Sequence, residues 1–308
     1  MHEFASDGLE AASRIKTAQN MMFSKADVPP IEQTKDEYKS IVKEIEDVAI
    51  SGMLSIEDMY AGTTELFGVD KIAQYPEVLK NMIKPMSDLA TMSGVGAESA
   101  ANFLTKTASG FGYISDNADE TTGHLLEINA TVAKIDSDSI ITFSDISESM
   151  KYTSATARNY GVSLAEVATA TKVMGDAGVR GGRAGSNLAQ AFKQMYSPTD
   201  NARKVMEQYG ISMYDAEGNA KSFTENIEQI RSKLSGLSDE AKNKALDDMF
   251  GQQSKQALLP LIQLDEGEFA RYKEELSKLT GEKATQVIET KMEIVTDGNI
   301  ELKCCHVC

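Results

Sequence analysis

The chain has 308 residues, 41% of them hydrophobic, only 6% aromatic and none Trp, and a formal net charge of −16. That charge excludes a broad nucleic-acid surface and a basic face for anionic membranes, both of which need a surplus of Lys and Arg. The opening "MHEFASDGLEAASRIK" has no apolar signal core, and no run of about 18 apolar residues predicts a membrane-spanning helix.

Helical periodicity starts early and persists. Residues 1–40 read as an N-terminal helical segment, closed by Val28-Pro29-Pro30. Residues 41–265 read as a helical core. Leu125, Ile128, Val132 and Ile135 form one stripe. Phe143, Ile146, Met150, Thr153, Ala157 and Tyr160 form a second, and Ala184, Leu188, Ala191, Phe192 and Met195 a third. Phe223, Ile227, Ile230, Leu234 and Leu237 form a fourth. Such spacing places one apolar face on each helix. Ser or Thr followed three residues later by an acid marks helix starts at Thr34/Glu37, Ser55/Asp58, Thr142/Asp145, Ser163/Glu166 and Ser222/Glu225. "LSIEDMYAGTTELFG", "GVGAESAANFLTKTASGFG" and "GVSLAEVATATKVMGDAG" share a loose turn–helix–Gly pattern, which predicts repeated helical hairpins.

The predicted fold is all-α, an array of helical hairpins, with one small β-hairpin at "ISMYDAEGNAKS", residues 211–222. Gly210 reads as the C-cap of the helix before it. Residues 266–308 read as a C-terminal helix and a disordered tail. The pattern decays from about Val287, and Cys304, Cys305 and Cys308 crowd the end. A Cys-free body does not depend on disulfides and suits a reducing compartment.

The most glycine-dense stretch is "GDAGVRGGRAGSN", residues 175–187. A phosphate-binding Walker loop needs Lys before Ser or Thr, yet no Lys lies between Lys172 and Lys193. A dinucleotide loop must follow a strand, whereas a Ser163-capped helix precedes this one. The expectation is therefore a helix–turn–helix corner built on Gly175, Gly178, Gly181, Gly182 and Gly185. Gly175 and Gly178 would end the first helix in left-handed geometry. Gly181, Gly182 and Gly185 would admit close approach of the second. Arg180 and Arg183 read as solvated, with anion binding at that helix start the alternative.

Other chemistry is sparse. "CCHVC" packs four metal-binding residue types into five positions, too close to surround one ion tetrahedrally. Of the three histidines, His2 and His306 are terminal, and His124 lies beside Leu125 as a core-edge residue. No nucleophile–base–acid set can be assembled. The expectation is a protein with no catalytic residues, no cofactor and no metal site.

One long segment carries a family signal. "GVSLAEVATATKVMGDAGVRGGRAGSNLAQAF", then "SPTDNARKVMEQYGISMYDAEGNAKSF" and "MFGQQSKQALLPLI", follow in order. Together they resemble the core region of phage tail tape measure proteins of the lactococcal-phage type, over residues 45 to 265. The resemblance implies a structural protein that occupies the tail tube, helps to set its length and leaves during DNA ejection. It implies tail tube, tail tip and assembly-chaperone partners and self-association, without stable nucleic-acid binding. It also implies residence in the virion tail lumen, and in the host cytoplasm during assembly. The family's long helical extensions are missing here, which points to a fragment or a truncated prophage frame. A non-viral helical adaptor and a tail-associated cell-wall hydrolase are the alternative readings, the latter without a recognisable Glu or Cys/His context.

Overall fold

A computed structural model describes residues 2–25, 35–69, 72 and 75–305, with side chains described from 13 to 297. Thr34 and Val28-Pro29-Pro30 lie outside the described residues, as do His306, Cys308 and the side chains of His2, Cys304 and Cys305. The described fold is helical. In chain order the helices are α1 (His2–Lys25), α2 (Asp36–Ser51), α3 (Ile56–Phe67), α4 (Pro76–Ser93), α5 (Ala97–Phe111), α6 (Ala118–Asp138) and α7 (Phe143–Asn159). Then come α8 (Leu164–Asp176), α9 (Gly181–Tyr196), α10 (Asp200–Gln208), α11 (Phe223–Leu234), α12 (Asp239–Ile262), α13 (Glu268–Ser277) and α14 (Gly281–Cys305).

The chain forms two compact units. One comprises Met1–Ala133 and Thr280–Cys308, the other Lys134–Leu279. In the first, α3 packs on α1 and α5, and α4 on α2 and α14. Its core includes Ile41, Ile45, Leu66, Leu79, Met82 and Leu104, all buried. Ser55 caps α3 by accepting from the Asp58 N–H. The Asp58 carboxylate does not close the box. It accepts instead from the Ala97 N–H at 3.1 Å, so it caps α5 from the neighbouring helix.

In the second unit, the predicted stripes of α7, α9 and α11 lie inward. Ile146, Met150 and Ala157, then Leu188, Phe192 and Met195, then Ile227, Ile230 and Leu234 are buried. Phe223 joins three helices: it meets Phe192 of α9 edge-on at 5.0 Å and Phe269 of α13 at 5.7 Å. Thr142/Asp145, Ser163/Glu166 and Ser222/Glu225 form complete capping boxes, and an N-cap of this kind is worth about 1 kcal/mol.

The expected β-hairpin at 211–222 is corrected: no strand occurs among the described residues, only an isolated Tyr214–Ala220 bridge. The reason is local. The Asp215 carboxylate accepts from the backbone N–H groups of Glu217 and Asn219, which tightens the turn. Backbone pairing is limited to Asp215 N with Asn219 O and Lys221 N with Met213 O, because Lys221 O accepts instead from Tyr196 Oη at 3.0 Å and from Asn226 Nδ2 at 3.2 Å. That carbonyl is therefore not spent on an extended ladder. Gly210 has φ +63, and Ile211 N donates to Met206 O at 2.9 Å, which closes α10. At the other end of the chain, α14 carries helical backbone through Cys305, beyond where the sequence pattern decays.

Carboxyls of the two units are shifted in opposite directions. In the first, burial pushes the Asp88 carboxyl above its ordinary value; Lys84, bonded at 2.8 Å, partly offsets this, and Glu289 adds to it. Burial likewise raises Glu127, against the opposing pull of His124. A raised folded value means that stability grows as pH falls through it towards the unfolded value. In the second unit burial would raise Asp176, but hydrogen bonds from Lys172 and Ser139 outweigh it and hold the carboxyl below its ordinary range. The Ser222 hydroxyl and N–H hold Glu225 low. Stability from a depressed carboxyl is present above the unfolded value, near pH 4, and is lost below it. Hydrogen exchange followed from pH 7 to 3 should therefore show Lys134–Leu279 losing protection first. Earlier loss around Asp88 and Glu127 would contradict this.

Candidate functional site

The glycine-dense stretch is the turn between α8 and α9. Helix α8 starts at Ser163, whose side chain accepts from the Glu166 N–H. The Glu166 carboxylate is 4% exposed and makes four hydrogen bonds. It accepts from the Ser163 N–H and hydroxyl, both at 3.0 Å, and from the Thr224 N–H and hydroxyl at 2.9 and 2.8 Å. One buried carboxylate thus holds the first turns of both α8 and α11.

The helix ends in a left-handed cap at Gly178, φ +86. Val179 N donates to Met174 O at 2.8 Å and Gly178 N to Gly175 O at 3.0 Å, the paired bonds that close a helix C-terminus. Gly175 has a different role from the expected one. It lies within α8, and a Cβ there would overlap the Ile141 side chain. Gly181 also differs: it takes φ +57 where α9 begins. At Gly182 a Cβ would meet Tyr152 Cε2 at 3.0 Å, a ring that is 48% exposed and has room to move.

Gly185 is the glycine of this corner that lies closest to the backbone of another helix. A Cβ there would lie 2.5 Å from Ser149 O and 2.8 Å from Ser149 Cα. Those are backbone atoms of α7, which cannot swing aside. The helices α7 and α9 therefore meet backbone to backbone, and Ser149 Oγ pairs with Thr171 Oγ1 of α8 at 3.0 Å.

The two arginines are exposed, as expected, and each also makes a hydrogen bond. Arg180 Nε donates to Gly175 O at 3.0 Å, adding a side-chain donor to a carbonyl at the end of α8 that already accepts from Gly178 N. Arg183 Nη2 donates to Gln256 Oε1 of α12 at 2.8 Å, and Asn187 Nδ2 shares that acceptor at 3.2 Å. Asp176, the last residue of α8, gathers Ser139 Oγ, the Ile140 N–H at 3.4 Å and Lys172 Nζ at 2.8 Å. Lys172 in turn lies 5.0 Å above the Tyr272 ring. Burial, then the Asp138 charge that accepts its hydroxyl at 3.1 Å, push the Tyr272 phenol up. Each of these polar groups ends a helix or ties one helix to the next.

The remaining described candidate, His124, belongs to the first unit. His124 stacks on Tyr113 with ring centres 4.0 Å apart, and its Nδ1 lies 3.5 Å from Glu127 Oε2. No group of three or more His, Cys, Asp or Glu is placed to hold a metal among the described residues. No helix among the described residues is long and apolar enough to cross a membrane. Sequence spacing alone did not reveal the second half of the Glu166 site, because Thr224 is 58 residues away. Nor did it reveal the Arg180 cap or the Gln256 acceptor.

Comparison with known proteins gives this corner a setting. Residues 73–251, which include it, match the family model described as phage-related minor tail protein. The tape measure protein of Pneumococcus phage Dp-1 is 33% identical over 175 residues, 57% of this chain and 15% of that protein. The probable tape measure protein of Escherichia phage P2 is 22% identical over 122 residues, 39% of this chain and 15% of that protein. The match thus spans about one seventh of each of these relatives' length. No solved structure matches the chain. With more than half of its residues covered by the family model, the chain belongs to the phage-related minor tail proteins.

Proposed function

We propose that this chain is the folded helical core of a tail tape measure protein, acting by length and packing rather than by a catalytic pocket. The observation that carries the reading is the 33% identity to the Dp-1 tape measure protein, over a segment 175 residues long. The geometry supports it: the polar groups of the α8–α9 corner serve helix ends, and Gly175, Gly178, Gly181, Gly182 and Gly185 act as a structural corner. The chain works without a cofactor. It lies in the lumen of the tail tube in the virion and in the host cytoplasm during assembly. Tail tube proteins, tail tip proteins, assembly chaperones and further copies of the chain are its partners.

Purified particles test this. Their tails should contain peptides from 134–279 that resist added protease until the tube is disrupted. Absence of these peptides from particles would remove the tail role, and protease sensitivity in intact tails would remove the lumenal one.

A further inference from the structure

The helix α12 is broken in its middle. Gly251 has φ 74 and ψ 166, a conformation open in practice only to glycine, while regular helix continues on both sides. An added Cβ would meet nothing within 4 Å, so backbone preference rather than space requires glycine here.

Two observations set the bend apart from a continuous helix. First, Asp247 Oδ2 accepts from Gln252 Nε2 at 3.0 Å and from Lys255 Nζ at 2.7 Å. Helical side-chain partners stand three or four residues apart. At eight residues apart, on a continuous helix, the backbones would be about 12 Å apart along the axis. The Asp247–Lys255 pair is therefore a clasp specific to the bend. Second, the buried Ser254 hydroxyl has no hydrogen-bond partner, and neither has Asp247 Oδ1. Elsewhere in this chain, buried Thr63, Thr153, Ser154 and Thr169 donate to the carbonyl four residues back. On a continuous helix Ser254 would have the Phe250 carbonyl in that position.

We infer that α12 is a two-state element: a bent form clasped by Asp247 and Lys255, and a continuous helix in which Ser254 recovers its carbonyl partner. Straightening must withdraw one half of the helix from the core, since Leu246, Met249 and Phe250 before the bend and Leu258 and Leu261 after it are all buried. The bent form is therefore the resting one. The inference does not depend on the tail role.

Spin labels at Glu240→Cys and Gln263→Cys, in the full chain with Cys304, Cys305 and Cys308 changed to Ser, read the state as a distance. A continuous helix places these positions about 35 Å apart. Gly251→Ala should raise the population at that value, because Ala holds the bend only under backbone strain and favours helix. Lys255→Met should raise the 35 Å population about fivefold over the parent, and Lys255→Arg should not. A folded Gly251→Ala protein that keeps the parent distance overturns the inference. If Gly251→Ala loses its helical circular dichroism, Lys255→Met decides, and a distribution equal to the parent's overturns it equally.

Discussion

Gly185→Val should lower the melting temperature of the Lys134–Leu279 unit by roughly 6–12 °C. The side chain would start 2.5 Å from a backbone oxygen and 2.8 Å from a backbone Cα of α7, which cannot move aside as a side chain would. Overpacking of this kind costs about 3 kcal/mol when the neighbour is main chain. At this unit's size each kcal/mol is worth about 2–4 °C. Gly182→Val should cost far less, because the exposed Tyr152 ring can turn away. Arg180→Ala and Arg183→Ala each remove one hydrogen bond at a partly wet site, about 1 kcal/mol. Differential scanning calorimetry of the four variants ranks them. Arginine variants less stable than Gly185→Val would mean that the corner is built around the cations, and that close helix approach is secondary.

Glu166→Ala should be at least as damaging, at about 4 kcal/mol, for a different reason. The change deletes a buried carboxylate that accepts four hydrogen bonds and strands donors at the starts of two helices. Glu166→Gln keeps the shape but turns an NH2 towards N–H and hydroxyl donors, so it should fall between Ala and the parent. Ser163→Ala removes the α8 cap alone and should cost about 1 kcal/mol. Urea midpoints measure the series. A loss under about 1 kcal/mol in Glu166→Ala would show that water replaces the carboxylate and that the two helix starts are independent.

The parts of this architecture that a sequence reveals are those written within one or two helical turns. The α9 stripe from Ala184 to Met195 repeats every three or four residues, so burial on one face follows directly. Ser163 and Glu166 are three residues apart, so half of the Glu166 site is legible, while its reach to Thr224 belongs to tertiary packing. Asp58 has the same spacing from Ser55, yet its carboxylate caps α5 instead, because Ala97 lies within reach and has a free N–H. The Glu217-Gly218-Asn219 turn was readable, but the absence of strands beside it was not. That outcome depends on Asp215 and on the Tyr196 hydroxyl arriving from α9. Gly251 looks like any isolated glycine in a helix-forming run, and only the Lys255 clasp eight residues from Asp247 marks the bend. Likewise, the grouping of residues 280–308 with the first 133 is a long-range contact that no local pattern encodes.

Tail length is the quantity that tests the central claim most directly. In a phage whose full-length tape measure protein carries this segment, in-frame deletions are made at two kinds of place, and tails are measured in electron micrographs. Removing residues from a single extended helix outside the folded core should give intact tails shorter by about 1.5 Å per residue. Removing the α7–α8 hairpin, residues 142–174, should instead abolish assembly, because it takes away the backbone against which Gly185 packs and the Glu166 carboxylate. Intact tails of unchanged length after the first deletion would contradict the account.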